Sequence, residues 1–292
     1  MDPADGDDAT LRHPRVPDHL PAVVATDLDG TLLHSDGTVS ARTIDVLSRI
    51  VELGVRVVFV TGRPPETVTE VADQVGHTGY AVCSNGAVVL DLASMTPVAE
   101  HLLDPDTAAA LAERIRAAVP GTSFGVQLVD RFRCEPAYPY DPWYPFPPEV
   151  VEDLPALFDR PAAKLVVRHP GQSGDRLLEL SRRAADEAGL TERVELTIST
   201  SIGFVEVAAA GVSKAGSLAE LCAGWDIPAE RVVAFGDMPN DISTLTWAGR
   251  SYVVAGGHRD AVAAADEVAP SAGADGVAVV LDRIYAELLA PR

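Results

Sequence analysis

Aromatic side chains make up only 5% of this 292-residue chain, lysine occurs just twice among 23 basic residues, and cysteine three times. Each shortage excludes something. Cys83, Cys134 and Cys222 are odd in number, far apart and without a Cys-x-x-Cys pair, which argues against a disulfide framework or a zinc site and for a reducing compartment. No run approaches the roughly 20 apolar residues of a membrane helix. Residues 1–20 are acidic and polar, lack the apolar stretch of a signal peptide, and read as a disordered tail, so a cytoplasmic protein is expected. Positive charge is scarce overall: 43 acidic against 23 basic side chains leave −20. That field repels nucleic acid and anionic membranes, so neither is an expected partner. An anionic ligand would need local positive charge or a metal ion. Composition says nothing of oligomeric state.

What is present is an ordinary globular mixture, 47% hydrophobic and 23% charged, long enough for two units. Val-rich runs at 22–26, 55–60, 80–83, 232–235 and 252–255 have the character of strands buried on both faces. Between the first two, Ile44, Leu47, Ile50 and Val51 recur at helical spacing, with Ser40 as N-cap and Gly54 beyond the end, which makes a βαβ unit. Helical patterns at 213–224, 240–249 and 260–269 continue the alternation, and a last helix is expected from about 276 to 289. The expected fold class is therefore α/β, a Rossmann-like parallel sheet with helices on both faces. From 88 to 200 the pattern changes. A hairpin (88–90 and 98–102), a helix opening on Asp104 and Pro105, strands at 124–129, 164–168 and 194–198, and a second helix near 176–189 read as an inserted α+β cap domain. The expected division is 1–20 tail, 21–87 and 201–292 core, 88–200 cap, with the chain back in the core by Val205 to Ala208.

Polar clusters follow the buried runs. Asp27-Leu28-Asp29-Gly30-Thr31 follows the first, Thr61-Gly62-Arg63 the second, and Gly236-Asp237-Met238-Pro239-Asn240-Asp241 the fourth, so all three emerge at the ligand-binding edge of an open α/β sheet. Lys214 opens a helix whose amino end also favours an anion. Asp27, Asp29 and Asp237 brought together would repel one another unless a hard cation held them, and Mg²⁺ takes carboxylates together with phosphate. One carboxylate could then attack phosphorus while a second protonates the leaving oxygen and later activates water. Thr61 and Lys214 suit the phosphoryl oxygens.

This order of motifs resembles that of the haloacid dehalogenase-like hydrolases, and the large insert resembles their Cof-type phosphatase branch. The resemblance runs from about Ala22 to Leu289. It implies Asp27 as nucleophile and metal ligand, Asp29 as general acid and base with its backbone carbonyl on the metal, and Asp237 as a further metal carboxylate. It also implies Asp241 as a metal partner at one remove or through water, Thr61 and Lys214 on the phosphoryl group, and Leu28, Gly62, Arg63, Asn85 and Asn240 around phosphate or substrate. The implied activity is Mg²⁺-dependent hydrolysis of small phosphomonoesters through an aspartyl phosphate. A dehalogenase would not need an acid at position 29, and a transport ATPase usually has threonine there. A phosphomutase or phosphotransferase would use the same aspartates, whereas a silent metabolite-binding protein would have lost some of them. One departure is Val254-Ala255-Gly256-Gly257-His258, where the branch commonly has Met-Gly-Asn-Ala.

Several residues carry two readings. Arg63 either holds substrate or pairs with a carboxylate at a helix start. Asn85-Gly86 is a site loop or simply a turn. Lys164 reads as a structural residue opening a strand, with substrate contact as the alternative, and His258 has no assigned role. The segment 135–149 concentrates Tyr138, Tyr140, Trp143, Tyr144 and Phe146 between prolines, either to stack on a sugar or base or to pack the insert or a subunit contact.

Overall fold

The computed structural model describes residues 16–77, 79–139, 147–198 and 202–286. The chain runs through β1 (Val23–Thr26), α1 (Ala41–Glu52), β2 (Arg56–Val60), α2 (Pro65–Val75), β3 (Tyr80–Cys83), β4 (Val88–Asp91) and β5 (Thr96–Glu100). Next come α3 (Pro105–Ala118), β6 (Ser123–Gln127), β7 (Phe132–Cys134), β8 (Glu149–Val150), α4 (Leu154–Leu157), β9 (Lys164–Ser173), α5 (Gly174–Glu187), β10 (Val194–Thr197) and β11 (Ile202–Ala209). It ends with α6 (Lys214–Gly224), β12 (Val232–Gly236), α7 (Ile242–Trp247), β13 (Arg250–Val254), α8 (Arg259–Ala264), β14 (Glu267–Ala269) and α9 (Gly276–Ile284).

Among the described residues these strands form two sheets. The first has the order β14-β13-β12-β1-β2-β3-β4-β5, parallel from β14 to β3 and closed by the antiparallel β4 and β5. All four residues of β1, Val23, Val24, Ala25 and Thr26, are buried, as expected of a largely apolar strand covered on both faces. The helices start where short polar side chains stop the backbone: Ser40 accepts from the Thr43 amide, Asp104 from Thr107, and Ser213 from Gly216. The second sheet, β10-β11-β9-β6-β7-β8, is covered on one face by α3 and α5. Leu111, Ile115 and Leu177 meet Phe124, Val126, Leu165, Val167, Val205 and Val207 there. Its opposite face carries Gln127, Lys164 and Glu206 and reaches the loop after β2.

Several boundaries differ from the expectation. β4 pairs with β3 and β5 with β4 in the first sheet, and β11 lies between β10 and β9 in the second, so the crossings fall near Leu103 and Ala210 instead of 88 and 201. Val205 and Val207 belong to the face under α3 and α5, which holds β11 away from the first sheet. Within the expected tail, Val16 and Leu20 are buried, and the Arg231 guanidinium donates to the carbonyls of Val16, Pro17 and Leu20. Residues 1–15, and the expected helix beyond 286, lie outside the described residues. The helix expected over 260–269 stops at Ala264. Asp266 accepts from the Ser251 amide and hydroxyl, turning the chain into β14 beside β13. Of the aromatic segment, Tyr138 packs on Phe132 with ring centroids 5.4 Å apart, and residues 140–146 lie outside the described residues. The three cysteines are buried and unbridged, and no helix among the described residues is long and apolar enough to cross a membrane.

The His77 ring packs on Phe59 with centroids 4.6 Å apart, and burial pushes its pKa from 6.5 down to about 4. Between these values the folded chain binds fewer protons at His77 than the unfolded chain, so this contribution to stability is present above pH 6.5 and is lost as pH falls toward 4. Denaturant unfolding should show a loss of roughly 3 kcal/mol over that window that is absent in His77→Phe. Equal pH dependence in the two proteins would contradict it.

Candidate active site

The order of the first sheet reverses at β1, which has β2 on one side and β12 on the other; Thr26 lies opposite both Phe59 and Phe235. Loops leaving neighbouring strands part at such a point and open a crevice at their carboxyl ends. Asp27 leaves β1, Thr61 leaves β2, and Asp237 leaves β12, so the crevice receives all three clusters read in the sequence. After Asp27, the amides of Thr31, Leu32 and Leu33 converge on the Leu28 carbonyl in a tight turn. Gly30 has φ +80°, and a Cβ there would lie 2.5 Å from Asp237 Oδ2, so glycine serves both the turn and the close approach. The Leu28 side chain is in the core, which leaves only its backbone to face a ligand.

Asp27, Asp237 and Asp241 each offer a carboxylate oxygen within 4.8 Å of the others. Lys214 Nζ, fully buried, donates to Asp27 Oδ1 at 2.7 Å and to Asp241 Oδ1 at 2.6 Å. Asp241 Oδ2 accepts from the amides of Asp237 and Met238, and the Thr31 hydroxyl donates to Asp237 Oδ1. Burial pushes the Asp27 carboxyl well above the ordinary carboxylate range, with Lys214 opposing it and Asp241 and Asp237 reinforcing it. Burial likewise pushes Asp237 up to about 7, with help from the Asp241 charge. Burial works against the Lys214 ammonium, but Asp241 and Asp27 outweigh it and hold lysine above its ordinary value. Three carboxylates facing one ammonium leave excess negative charge, and an all-oxygen donor set fits a divalent cation.

The Asp29 carboxylate is not part of this cluster. Arg63, just before α2, grips it bidentately at 2.6 and 2.7 Å, at a half-exposed position. Thr61 is buried, and its hydroxyl accepts from the Arg63 amide. Asn240 Nδ2 donates to Asn85 Oδ1 at 3.0 Å, and a Cβ on Gly62 would lie 3.2 Å from that same oxygen, which places Gly62, Asn85 and Asn240 together. A cavity of about 360 Å³ extends from Asn85, Asn240 and Lys214 to the second sheet. A larger one, about 490 Å³, lies at the amino ends of β2 and β3 and touches none of the predicted site residues.

Ser84, Asn85 and Gly86 follow β3 with φ of 49°, 58° and 108°, three consecutive left-handed residues. Ser217 holds the turn by donating to the Gly86 carbonyl at 2.6 Å. A Cβ on Gly86 would lie 2.3 Å from the Ser213 carbonyl oxygen, at the start of the helix that carries Lys214. Gly86→Ala should therefore displace Asn85 or Lys214, costing about 2 kcal/mol in thermal unfolding and at least ~10-fold in turnover. A variant as stable and active as the parent would show that the approach is not needed.

Sequence reasoning missed Thr31, Ser217 and Glu206, whose roles depend on partners far along the chain, and the hydroxyl of Ser84. The Ser84 hydroxyl is fully buried, finds no hydrogen-bond partner among the described residues and lines the cavity. His258, given no role, caps α8; its amide donates to the Asp237 carbonyl, and its ring lies 3.7 Å from Asp175.

The profile of the haloacid dehalogenase-like hydrolases matches residues 24–281. A phosphoglycolate phosphatase of Natronomonas pharaonis is 27% identical over 265 residues, covering 90% of this chain and 97% of the relative. The 5-amino-6-(5-phospho-D-ribitylamino)uracil phosphatase YbjI of Escherichia coli is 26% identical over 277 residues, covering 90% and 95%. Among solved structures, SMU.1108c of Streptococcus mutans superposes with a TM-score of 0.79 at 23% identity, covering 91% of this chain and 99% of its own, a likeness of fold. With its sheet, crevice and ordered motifs matched over nearly the whole chain, the protein belongs to the haloacid dehalogenase-like hydrolase family.

Proposed function

We propose that this protein is a cytoplasmic, Mg²⁺-dependent phosphatase that hydrolyses small phosphomonoesters by way of an aspartyl phosphate on Asp27. The observation that carries the reading is the buried Asp27–Lys214–Asp241 array beside Asp237, at the switch point of the sheet. Both relatives described above are named as phosphatases of small metabolites, which supports the substrate class.

Asp27 and Asp237, with Asp241 behind them and the Asp29 backbone carbonyl, would hold Mg²⁺. Once bound, the ion would neutralise negative charge on the carboxylates and phosphoryl oxygens. Asp29 first leaves Arg63 and takes up a proton from solvent; an Asp27 carboxylate oxygen then attacks phosphorus as the ester oxygen leaves, and that oxygen takes the Asp29 proton. Water then loses its proton to Asp29 and attacks phosphorus, releasing phosphate and restoring Asp27. The Thr61 hydroxyl and Lys214 ammonium hold the phosphoryl oxygens, assisted by backbone around Leu28 and Gly62 and the amides of Asn85 and Asn240. A divalent cation should also relieve the repulsion among the carboxylates. Saturating Mg²⁺ is expected to raise the melting temperature of the chelator-treated protein by several degrees, and Asp237→Asn should blunt that rise.

The test is phosphate release from a panel of phosphorylated metabolites, with Mg²⁺ and with chelator. Release that needs Mg²⁺ supports the reading. Transfer to an added sugar hydroxyl in preference to water would replace it with a phosphotransferase, and no reaction from any compound would overturn it.

A further inference from the structure

The chain has two lysines, and both are buried against the same cavity. Lys214 sits among the carboxylates. Lys164 comes from the other sheet: at the first position of β9, its Nζ pairs with Glu206 of β11 and donates to the Gly62 carbonyl at 2.7 Å. Lys164 is 7% exposed and Glu206 2%, so this is a desolvated pair aimed at one backbone oxygen of the loop after β2. Glu206 pairs in register with Val166, two residues from Lys164 on the same face, which puts the carboxylate diagonally across from the ammonium. Gln127, the registered partner of Lys164 on β6, donates to Glu66 Oε1 at 2.9 Å at the start of α2. Two adjoining strands of the second sheet thus grip the two ends of the 62–66 segment.

What lies between those grips matters for chemistry. Thr61 and Arg63 flank the held carbonyl. The Arg63 carbonyl accepts from the Ser84 amide and the Thr61 carbonyl from the Asn85 amide, so the loop also carries the strained 84–86 turn. We propose that Lys164 is a positioning residue: its ammonium, aimed by Glu206, clamps the Gly62 carbonyl and thereby sets Thr61 and Asn85 for phosphoryl transfer when the second sheet is seated over the first. The pair couples the seating of the cap to the order of the phosphate loop. Lys164 touches no reacting atom in this account, and its effect passes through the backbone of Gly62. Only the kinetic part rests on the phosphatase reading.

The experiment has two arms. In the first, amide hydrogen exchange of the full chain is followed at Arg63, Ser84 and Asn85. Lys164→Met should speed exchange there by at least ~10-fold while leaving the α1 and β12 amides unchanged. Because this substitution strands a buried carboxylate, Lys164→Met combined with Glu206→Leu replaces the whole pair by apolar groups, keeps the fold, and should show the same local acceleration. In the second arm, Lys164→Met should lower kcat ~10²-fold, change KM less than ~3-fold, and do so by the same factor for every leaving group. In a Thr61→Ala background the further loss should shrink to under ~3-fold, since the residue it positions has gone. Unchanged exchange at the three amides, or losses that multiply independently with Thr61→Ala, would overturn the proposal. So would a loss that varies with the leaving group, which would make Lys164 a substrate contact. Should the parent protein release no phosphate at all, the phosphatase reading falls and the exchange arm still decides this one.

Discussion

Asp27→Asn is expected to abolish phosphate release, by ~10⁴-fold or more, while the protein unfolds at the same temperature as the parent or slightly above it. The substitution keeps the side chain's shape. The amide oxygen can still accept the hydrogen bond that Lys214 Nζ now gives Asp27 Oδ1 at 2.7 Å. What it removes is a charged nucleophile and one of three carboxylates crowded within 4.8 Å. Burial already pushes the Asp27 carboxyl up, so losing its charge relieves the folded state. Circular dichroism and thermal unfolding check the fold, and phosphate release checks the chemistry. Residual turnover within ~10-fold of the parent would remove Asp27 from the role of nucleophile.

Lys214→Met is the second large effect, and its direction in stability is opposite. The ammonium has no exposure and binds both Asp27 and Asp241. Removing one member of a buried charge network leaves its partners desolvated and mutually repelling, typically at a cost of about 3–5 kcal/mol. Denaturant unfolding should show a loss of that order, and phosphate release should fall at least ~10³-fold as the phosphoryl group loses its buried counter-charge. Lys214→Arg is not expected to restore activity, because a planar guanidinium does not fit the fully enclosed position of a compact ammonium. Unfolding unchanged in Lys214→Met would mean that the carboxylates are held neutral by other means and that the charge balance described here is wrong.

How much of this could be read from the chain follows from how local each signal is. β1 and β2 are largely apolar, Val-rich runs, and Ser40, Asp104 and Ser213 cap their helices through an amide three residues on, so both are visible within a short window. The clusters at Asp27, Thr61 and Asp237 converge because parallel strands share one carboxyl edge, and that follows from element order alone. Sheet membership does not. The hairpin β4–β5 and the strand β11 alternate like any others, and only tertiary packing places the first beside β3 and the second between β10 and β9. The same holds for side chains. Thr31 meets Asp237 across 206 positions and Lys164 meets the Gly62 carbonyl across 102. Lys164 read as a structural residue because a lysine at the head of a strand gives no sign of what its amine reaches. The rarity of lysine was the clue available, and it applied to both copies.

The most direct test of the account is to trap the covalent intermediate. Enzyme quenched in acid during turnover is reduced with borohydride, which converts an acyl phosphate to an alcohol, and is then mapped by peptide mass spectrometry. Homoserine is expected in place of aspartate at position 27, dependent on Mg²⁺ and on substrate; homoserine at any other aspartate, or none during verified turnover, would contradict Asp27 as the nucleophile.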